Sequence, residues 1–409
     1  MNTITWIYTI MFFFGIYFLL MFIILFRRNR KLMNYYPEPK KFFSVSFLVP
    51  AYNEEESIKE TLKALLEVDY PLEKKEIIVI NDGSKDRTAR VVKEFSKKYK
   101  QIKLLNKQNS GKADSLNNGI KIAKGELIAV VDADSYPTKD SLKKMVGYFE
   151  EDLNVAAVTS RVFVKNNKNF IERYQDLDYR VIAWSRKIMD YINCVYVTNG
   201  PLSVYRKDLV KKVGGFDPKN MTEDIEITWN LLSHGHKTKM SYSAIVYTTT
   251  PDTFKVWNKQ RIRWNLGGLQ TLNKYKGFFL KGENLFGYFV MSYVSLSFLL
   301  SLVGFFLLLR YLFIKLNFYV WSIPFFLKGY NPFIFFEFNF LITLLFLFGA
   351  LFFVLSLVYY RYAMNDVKFN FKTFKRILVY TFIYRPLYLI PLIISIYKLM
   401  TGKIGWYTK

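Results

Sequence analysis

Two carboxylates one residue apart, Asp132 and Asp134, close the apolar stretch Val130-Val131-Asp132-Ala133-Asp134-Ser135-Tyr136. Side chains alternate along a strand, so a strand running to this point puts both on one face as it frays into a loop. Oxygen ligands placed this way suit one hard divalent cation, Mg²⁺ or Mn²⁺, which usually reaches its function through the phosphates of a nucleotide. An isolated Asp-x-Asp is also an ordinary polar turn, and only the rest of the chain separates the two readings. Other chemistry is scarce. A single cysteine, Cys194, excludes an internal disulfide and a cysteine-built zinc site. His234 and His236 flank Gly235 in a polar turn and are the only histidines, which leaves catalysis to carboxylates, amides and basic groups.

The elements that must position these groups follow from the hydrophobic pattern. Strand-like runs Ser44 to Val49, Glu76 to Ile80, Ile102 to Leu105 and Leu127 to Val131 alternate with helical stretches. The first helix carries Ile58, Leu62, Leu65 and Leu66 on one face; Asp86 to Tyr99 and Lys112 to Ala123 supply two more. Strands spaced by helices of this length imply an α/β fold, a parallel sheet with crossover helices. In such sheets ligands gather beyond the carboxyl ends of the strands. Tyr52, Glu54, Asp82, Asp132 and Asp134 all lie at such ends, so one pocket is expected to hold them.

The ends of the chain are different. Ile4 to Phe26 is an uncharged apolar run long enough to cross a bilayer, followed at once by Arg27, Arg28, Arg30 and Lys31. The positive-inside rule puts that cluster in the cytoplasm and makes the run an anchor. Leu285 to Leu309, Phe338 to Tyr359 and Ile377 to Leu399 are further spans, the last interrupted by Arg385, Pro386 and Pro391. Counting them puts the C-terminal tail outside, although its Lys398, Lys403, Trp406 and Lys409 suit an inside tail. Either Phe318 to Phe336 adds a crossing or the proline-bearing segment is re-entrant or interfacial. The formal charge of +25 is spread through the middle and beside the apolar segments. Nucleic-acid binding needs it gathered on one face or tail, so anionic lipid and nucleotide are the better partners. Between the carboxylate sites, Phe170 to Ile192 mixes aromatic and aliphatic residues with Arg173, Arg180, Arg186 and Lys187. It reads either as a helix in the headgroup region or as a core-facing helix of the soluble domain.

Five motifs in order carry a resemblance: Pro50-Ala51-Tyr52-Asn53-Glu54, Asn81-Asp82-Gly83-Ser84, Asp132-Ala133-Asp134, Thr222-Glu223-Asp224 and Gln260-Arg261-Ile262-Arg263-Trp264. Together they resemble the processive branch of glycosyltransferase family two, which includes cellulose, hyaluronan and poly-N-acetylglucosamine synthases. The resemblance implies a cytoplasmic GT-A domain over residues 42–275, a membrane anchor and basic linker over 1–41, a C-terminal membrane region over 276–409, and amphipathic interface helices. It gives Ala51, Tyr52, Glu54 and Asp82 to the uracil and ribose of a UDP-sugar, and Lys112, in an element similar to the family's Lys-Ala-x-x-Leu-Asn, to its phosphates. Asp132 and Asp134 would hold Mg²⁺ or Mn²⁺, with Asp132 also on the donor's ribose side. Asp224 stands at the family's base position, with Glu223 on the substrate beside it. An unperturbed aspartate titrates near pH 4, so burial or the neighbours Glu223 and Glu226 must raise it; Thr222 before Glu226 also reads as a helix cap. On a helix Gln260, Arg263 and Trp264 share a face that would form a floor under the donor and terminal sugar. Trp257, Lys259 and Arg261, on another face, could anchor the helix at a membrane interface.

The expected function is a multi-pass cell-membrane synthase that polymerises sugars, from UDP-N-acetylglucosamine or UDP-glucose, into a polysaccharide and passes it outward. No nucleic acid takes part, and accessory subunits are not legible. Two alternatives stand beside it: transfer of a single sugar to a lipid, as in dolichyl-phosphate or ceramide enzymes, and a transporter or receptor with a degenerate nucleotide-binding domain.

Overall fold

The computed structural model describes residues 3–281, 285–329 and 344–402. From the N-terminus, helix α1 (Thr3–Asn29) precedes an alternation of strand and helix: β1 (Val45–Ala51), α2 (Ile58–Leu66), β2 (Lys75–Asp82), α3 (Thr88–Lys98), β3 (Ile102–Lys107), α4 (Lys112–Ile122) and β4 (Leu127–Val130). Then come β5 (Ser135–Pro137), α5 (Lys143–Glu151), β6 (Val155–Val164), α6 (Phe170–Asp190), β7 (Ser203–Arg206), α7 (Lys207–Lys212), α8 (Glu223–Ser233), β8 (Lys237–Thr248) and α9 (Phe254–Lys274). The chain ends in α10 (Met291–Leu327), α11 (Leu344–Ala363), α12 (Phe371–Val379) and α13 (Leu389–Thr401).

One sheet runs in the order β3-β2-β1-β4-β7-β6-β8-β5. The first four strands are parallel, as their helical spacing requires, while β7 pairs antiparallel to both β4 and β6 and makes the sheet mixed. Alternation sorts the central strands onto two cores. Phe47, Val49, Ala129 and Val131 join the α2 and α5 side, and Leu48, Ile128 and Val130 the α4 and α8 side. A fully buried side chain of this kind contributes about 1.5–3 kcal/mol, so the middle strands are rigid and their ends well placed. Strand β1 does not stop at Val49, the end expected before Pro50, but runs to Ala51. Strand β4 pairs with β1 only as far as Leu48, so Pro50 leaves no ladder bond unmade on that side. The order β2-β1-β4 brings Ala51, Asp82 and the Asp132 turn to one edge of the sheet.

Helix α6 is the core-facing helix of the two readings. It packs on β6 and β8 and buries Tyr174, Leu177, Val181, Trp184 and Ile188, together with Asp178 and Lys187. Its start has a capping box, with Asn169 and Glu172 bonding each other's backbone.

The chain divides into two compact units, Met1–Arg28 with Tyr293–Thr381, and Asn29–Ser292 with Phe382–Lys409. In the first, Phe22 packs edge-on against Tyr359 at 5.7 Å, and Phe26 lies 4.7 Å from Tyr362. Among the described residues four helices are long and apolar enough to cross a membrane: Thr3–Leu32, Phe286–Leu327, Phe346–Ala363 and Phe371–Thr401. Phe318 to Leu327 continues α10 and is no separate element, while residues 330–336 of that expected crossing and 338–343 of the expected third span lie outside the described residues. In the second unit α13 packs along α9, and Ser395 donates to the carbonyl of Ile262 at 3.2 Å.

Candidate active site

The carboxylate pair sits in a turn, not on a fraying strand. Strand β4 ends at Val130, and the Ser135 N–H donates to the Asp132 carbonyl at 3.0 Å, closing Asp132–Ser135. Strand alternation therefore does not orient these two side chains; the turn does, and both stay half-buried. Asp132 faces Lys112, whose Nζ lies 2.6 Å from Asp132 Oδ1 and 2.7 Å from Glu223 Oε1. Burial works against the charge on Lys112, but Asp132, Glu223 and Asp224 outweigh it and raise its pKa.

Lys112 owes its place to Asp82. The Asp82 carboxylate, at the end of β2, accepts from the N–H groups of Ser110 and Gly111 at 3.0 and 2.9 Å and from Lys107 Nζ at 2.5 Å. Those bonds pin the loop that opens α4, where Lys112 is the first helical residue. The neighbouring loops are tied as well. Asn53, at a left-handed φ of 54°, donates its N–H to Ser84 Oγ and accepts from the Lys85 N–H through Oδ1. The Glu54 N–H donates to Thr88 Oγ1 at 2.8 Å, and its carboxylate accepts from Ser57 Oγ at 2.7 Å. Ala51 is buried and Tyr52 half-buried beside them.

Asp224 lies at the start of α8, one residue past Glu223. Its pKa is raised to about 6, by burial first and the Glu223 charge second, while Lys112 and Arg263 pull it back. Glu226 is not a cause: fully buried, it is taken by Lys274 Nζ at 2.6 Å and the Tyr275 hydroxyl at 2.8 Å. Thr222 does occupy the cap position, but its hydroxyl turns to Asn220 Oδ1 and makes no cap bond. Helix α9 approaches here because Gly267 lets it; a Cβ on Gly267 would lie 2.0 Å from Thr222 Oγ1. That approach puts Arg263 within electrostatic reach of Asp224, and Gln260, Arg263 and Trp264 are half-buried.

Four of the expected residues, Lys112, Asp132, Glu223 and Asp224, thus form one charged cluster with Arg263 at its edge. Asp82 joins it through the Gly111–Lys112 backbone. Asp134, in the same turn as Asp132, is within electrostatic reach of Tyr179, whose ring stacks 6.5 Å from that of Trp264. Sequence reasoning missed Gly200. A Cβ there would meet Asp132 Oδ2 and Lys112 Nζ, each at 2.7 Å. Sequence marks it only as part of Asn199 to Arg206, a stretch that, with Gly214-Gly215-Phe216 after it, resembles the family's acceptor-side segment. Gly200→Ala is expected to push Lys112 off Asp132 and lower transfer at least tenfold with the protein still folded, which initial rates beside a thermal melt would measure. Trp257 and Arg261, expected at a membrane interface, are instead 0% and 1% exposed.

A mixed sheet with acidic turns at its edge and a half-buried aspartate whose pKa is raised can bind a diphosphate and take a proton from a hydroxyl. Residues 41–267 match the family model described as glycosyltransferase like family 2. The chain belongs to this family. Poly-beta-1,6-N-acetyl-D-glucosamine synthase of Staphylococcus epidermidis is 32% identical to the transferase over 237 residues, 58% of this chain and 57% of that protein. The chain therefore spans little more than half the length of that relative. Probable glycosyltransferase YdaM of Bacillus subtilis is 32% identical over 285 residues, 68% of this chain and 67% of that one. Among solved structures, mannosyltransferase PcManGT from Pyrobaculum calidifontis, in complex with GDP-Man and Mn2+, superposes with a TM-score of 0.60 over 97% of this chain and 98% of its own. At 19% identity that likeness speaks to the fold alone, which is GT-A.

Proposed function

We propose that the transferase is a membrane-embedded, inverting polysaccharide synthase that adds N-acetylglucosamine from UDP-N-acetylglucosamine to a growing chain, with its catalytic unit on the cytoplasmic side. The observation that carries this is the Asp224 cluster: an aspartate whose pKa is raised to about 6, one residue from a carboxylate clamped by Lys112. Asp224 takes the proton of the acceptor hydroxyl as that oxygen attacks the anomeric carbon, and a base titrating near neutrality suits that step. Lys112 and Arg263 offer positive charge to the diphosphate. Asp82 keeps capacity for the uracil N–H, since a carboxylate accepts at about four sites and three internal donors reach it. Ala51, Tyr52 and Glu54 line the nucleoside side, and Gln260 and Trp264 the floor beneath the sugars. The relatives' polymer supports the donor sugar.

Asp132 and Asp134 fit a Mg²⁺ or Mn²⁺ ion that substrate phosphates complete. Among the described residues no group of three or more His, Cys, Asp or Glu side chains forms a protein-only cage, and Mg²⁺ is usually held by one or two carboxylates plus phosphates. When bound, such a cation neutralises the diphosphate as it departs. Outward passage of the polymer, the multi-pass topology and the side of the C-terminus belong to the same proposal. The docking of α13 on α9 supports the interfacial reading of the proline-bearing segment, hence an inside tail.

Membranes containing the full chain, given labelled UDP-sugars and Mn²⁺, are expected to yield a ladder or smear on a sizing gel, strongest with UDP-N-acetylglucosamine and lost with a chelator. One lipid-sized product would replace this reading with single-sugar transfer to a lipid. No metal-dependent UDP release would leave a degenerate nucleotide-binding domain.

A further inference from the structure

Arg261 is the second residue of the Gln260–Trp264 motif, and the mechanism above gives it no work. Its surroundings do. The guanidinium is 1% exposed and donates through Nη1 to Gln260 Oε1 at 2.5 Å; its Cζ stands 4.0 Å from the centre of the Trp264 ring. It therefore touches two of the three side chains that form the floor. From the other side Nε donates to the Tyr388 hydroxyl at 2.8 Å, and Nη2 lies 3.6 Å from Asp178 Oδ2. The Tyr388 hydroxyl in turn donates to the same Asp178 carboxylate oxygen, which closes a triangle of Arg261, Tyr388 and Asp178. Asp178 is 1% exposed in its side chain and comes from α6; Tyr388 comes from the short turn between the two prolines of the C-terminal segment. Beside the triangle, Trp257 Nε1 donates to the Tyr384 hydroxyl at 2.9 Å.

A buried guanidinium is costly to desolvate and keeps one orientation only when its donors are met or its charge is balanced. Here Nε is met by Tyr388 of the C-terminal segment, while Nη2 makes no hydrogen bond among the described residues and is balanced by the Asp178 charge of α6 at 3.6 Å. On the other side Nη1 reaches the motif. A planar fork held at one end presents its opposite edge and face in fixed directions. The geometry points to Arg261 as a positioning residue: held by Asp178 and Tyr388, it sets the orientation of Gln260 and Trp264, so the C-terminal segment is a working part of the sugar-binding floor. This rests on the floor assigned to those side chains under the proposed function.

The test uses the full chain in membranes and compares Tyr388→Phe, Trp264→Ala and the double variant. Rates are read against donor concentration, alongside product length and the thermal midpoint. Tyr388→Phe removes one oxygen, and the expected result is a folded protein with a transfer efficiency about tenfold lower through a raised KM, and shorter products. Because Tyr388 acts through Gln260 and Trp264 together, the double variant should lose less than the product of the two single losses. If Tyr388→Phe lowers the midpoint below the assay temperature, Arg261→Lys, which keeps the buried charge but not the fork, is expected to give the same loss of efficiency in a folded protein. Full efficiency in both variants overturns the inference, and so do losses that multiply in the double variant. Trp264→Ala with normal turnover overturns it while leaving the transferase reading intact. Transfer that survives in Asp224→Asn strikes that reading instead.

Discussion

Asp224→Asn is expected to lower sugar transfer on the order of 10³-fold, within the range general bases contribute, while UDP-sugar still binds. The substitution keeps size and hydrogen-bonding shape but cannot accept a proton, so the loss should fall on kcat and leave the donor's affinity in place. The wild type makes a second, sharper statement. With Asp224 raised to about 6, the protonated form dominates below pH 6 and the base form above it. Activity therefore falls as pH drops: kcat/KM should rise roughly tenfold per unit up to about 6 and then level. The charges facing the group come from every element packed on it, with Glu223 beside it on α8, Lys112 on α4, Arg263 on α9 and Arg186 on α6. An acid limb near 4 would mean that Asp224 is no more perturbed than a surface aspartate, and its assignment as base would fail.

What the sequence made legible follows from the range over which each feature acts. The parallel half of the sheet was readable because β1 to β4 alternate with helices at short spacing, and strand ends adjacent in that order bring Asp82 and Asp132 to one edge. Local geometry was less so. The Asp132–Ser135 turn looked like strand because Val130 and Val131 precede it, and nothing in the pattern marks a hydrogen bond from Ser135 back to Asp132. The antiparallel strand β7 was missed because its neighbours β4 and β6 are fixed by long-range contacts. Glu226 and Glu223 look equivalent beside Asp224, yet Lys274 and Tyr275, some fifty residues further along the chain, claim Glu226, and only Glu223 meets Lys112. Arg261 looked like an interface anchor because arginine in an amphipathic helix usually is one. Its partners Asp178 and Tyr388 lie 83 and 127 residues away along the chain.

Lys112→Met should do two things at once, and their combination distinguishes a working ion cluster from a merely structural one. The first is a loss of stability. Asp132 and Glu223 each approach Lys112 Nζ within 2.7 Å, and removing one partner of a buried pair strands charge in a poorly solvated site. The cost is set at roughly 3 kcal/mol, the low end for such pairs, because the lysine side chain keeps 26% of its exposure. The second is a move in the acid limb. Lys112 is the leading charge that lowers the Asp224 pKa against burial and Glu223, so without it the limb must shift upward from about 6. Transfer at neutral pH then drops from both a scarcer base and a diphosphate without its cation, and part of it should return as the pH is raised. Lys112→Arg should not restore it: the Cβ-free backbone of Gly200 already lies against the ammonium, and a guanidinium has no room to enter. Thermal unfolding and a pH profile on the same preparation separate the two effects. A variant that melts earlier but keeps its acid limb near 6 would show that Lys112 holds the fold together without tuning the base.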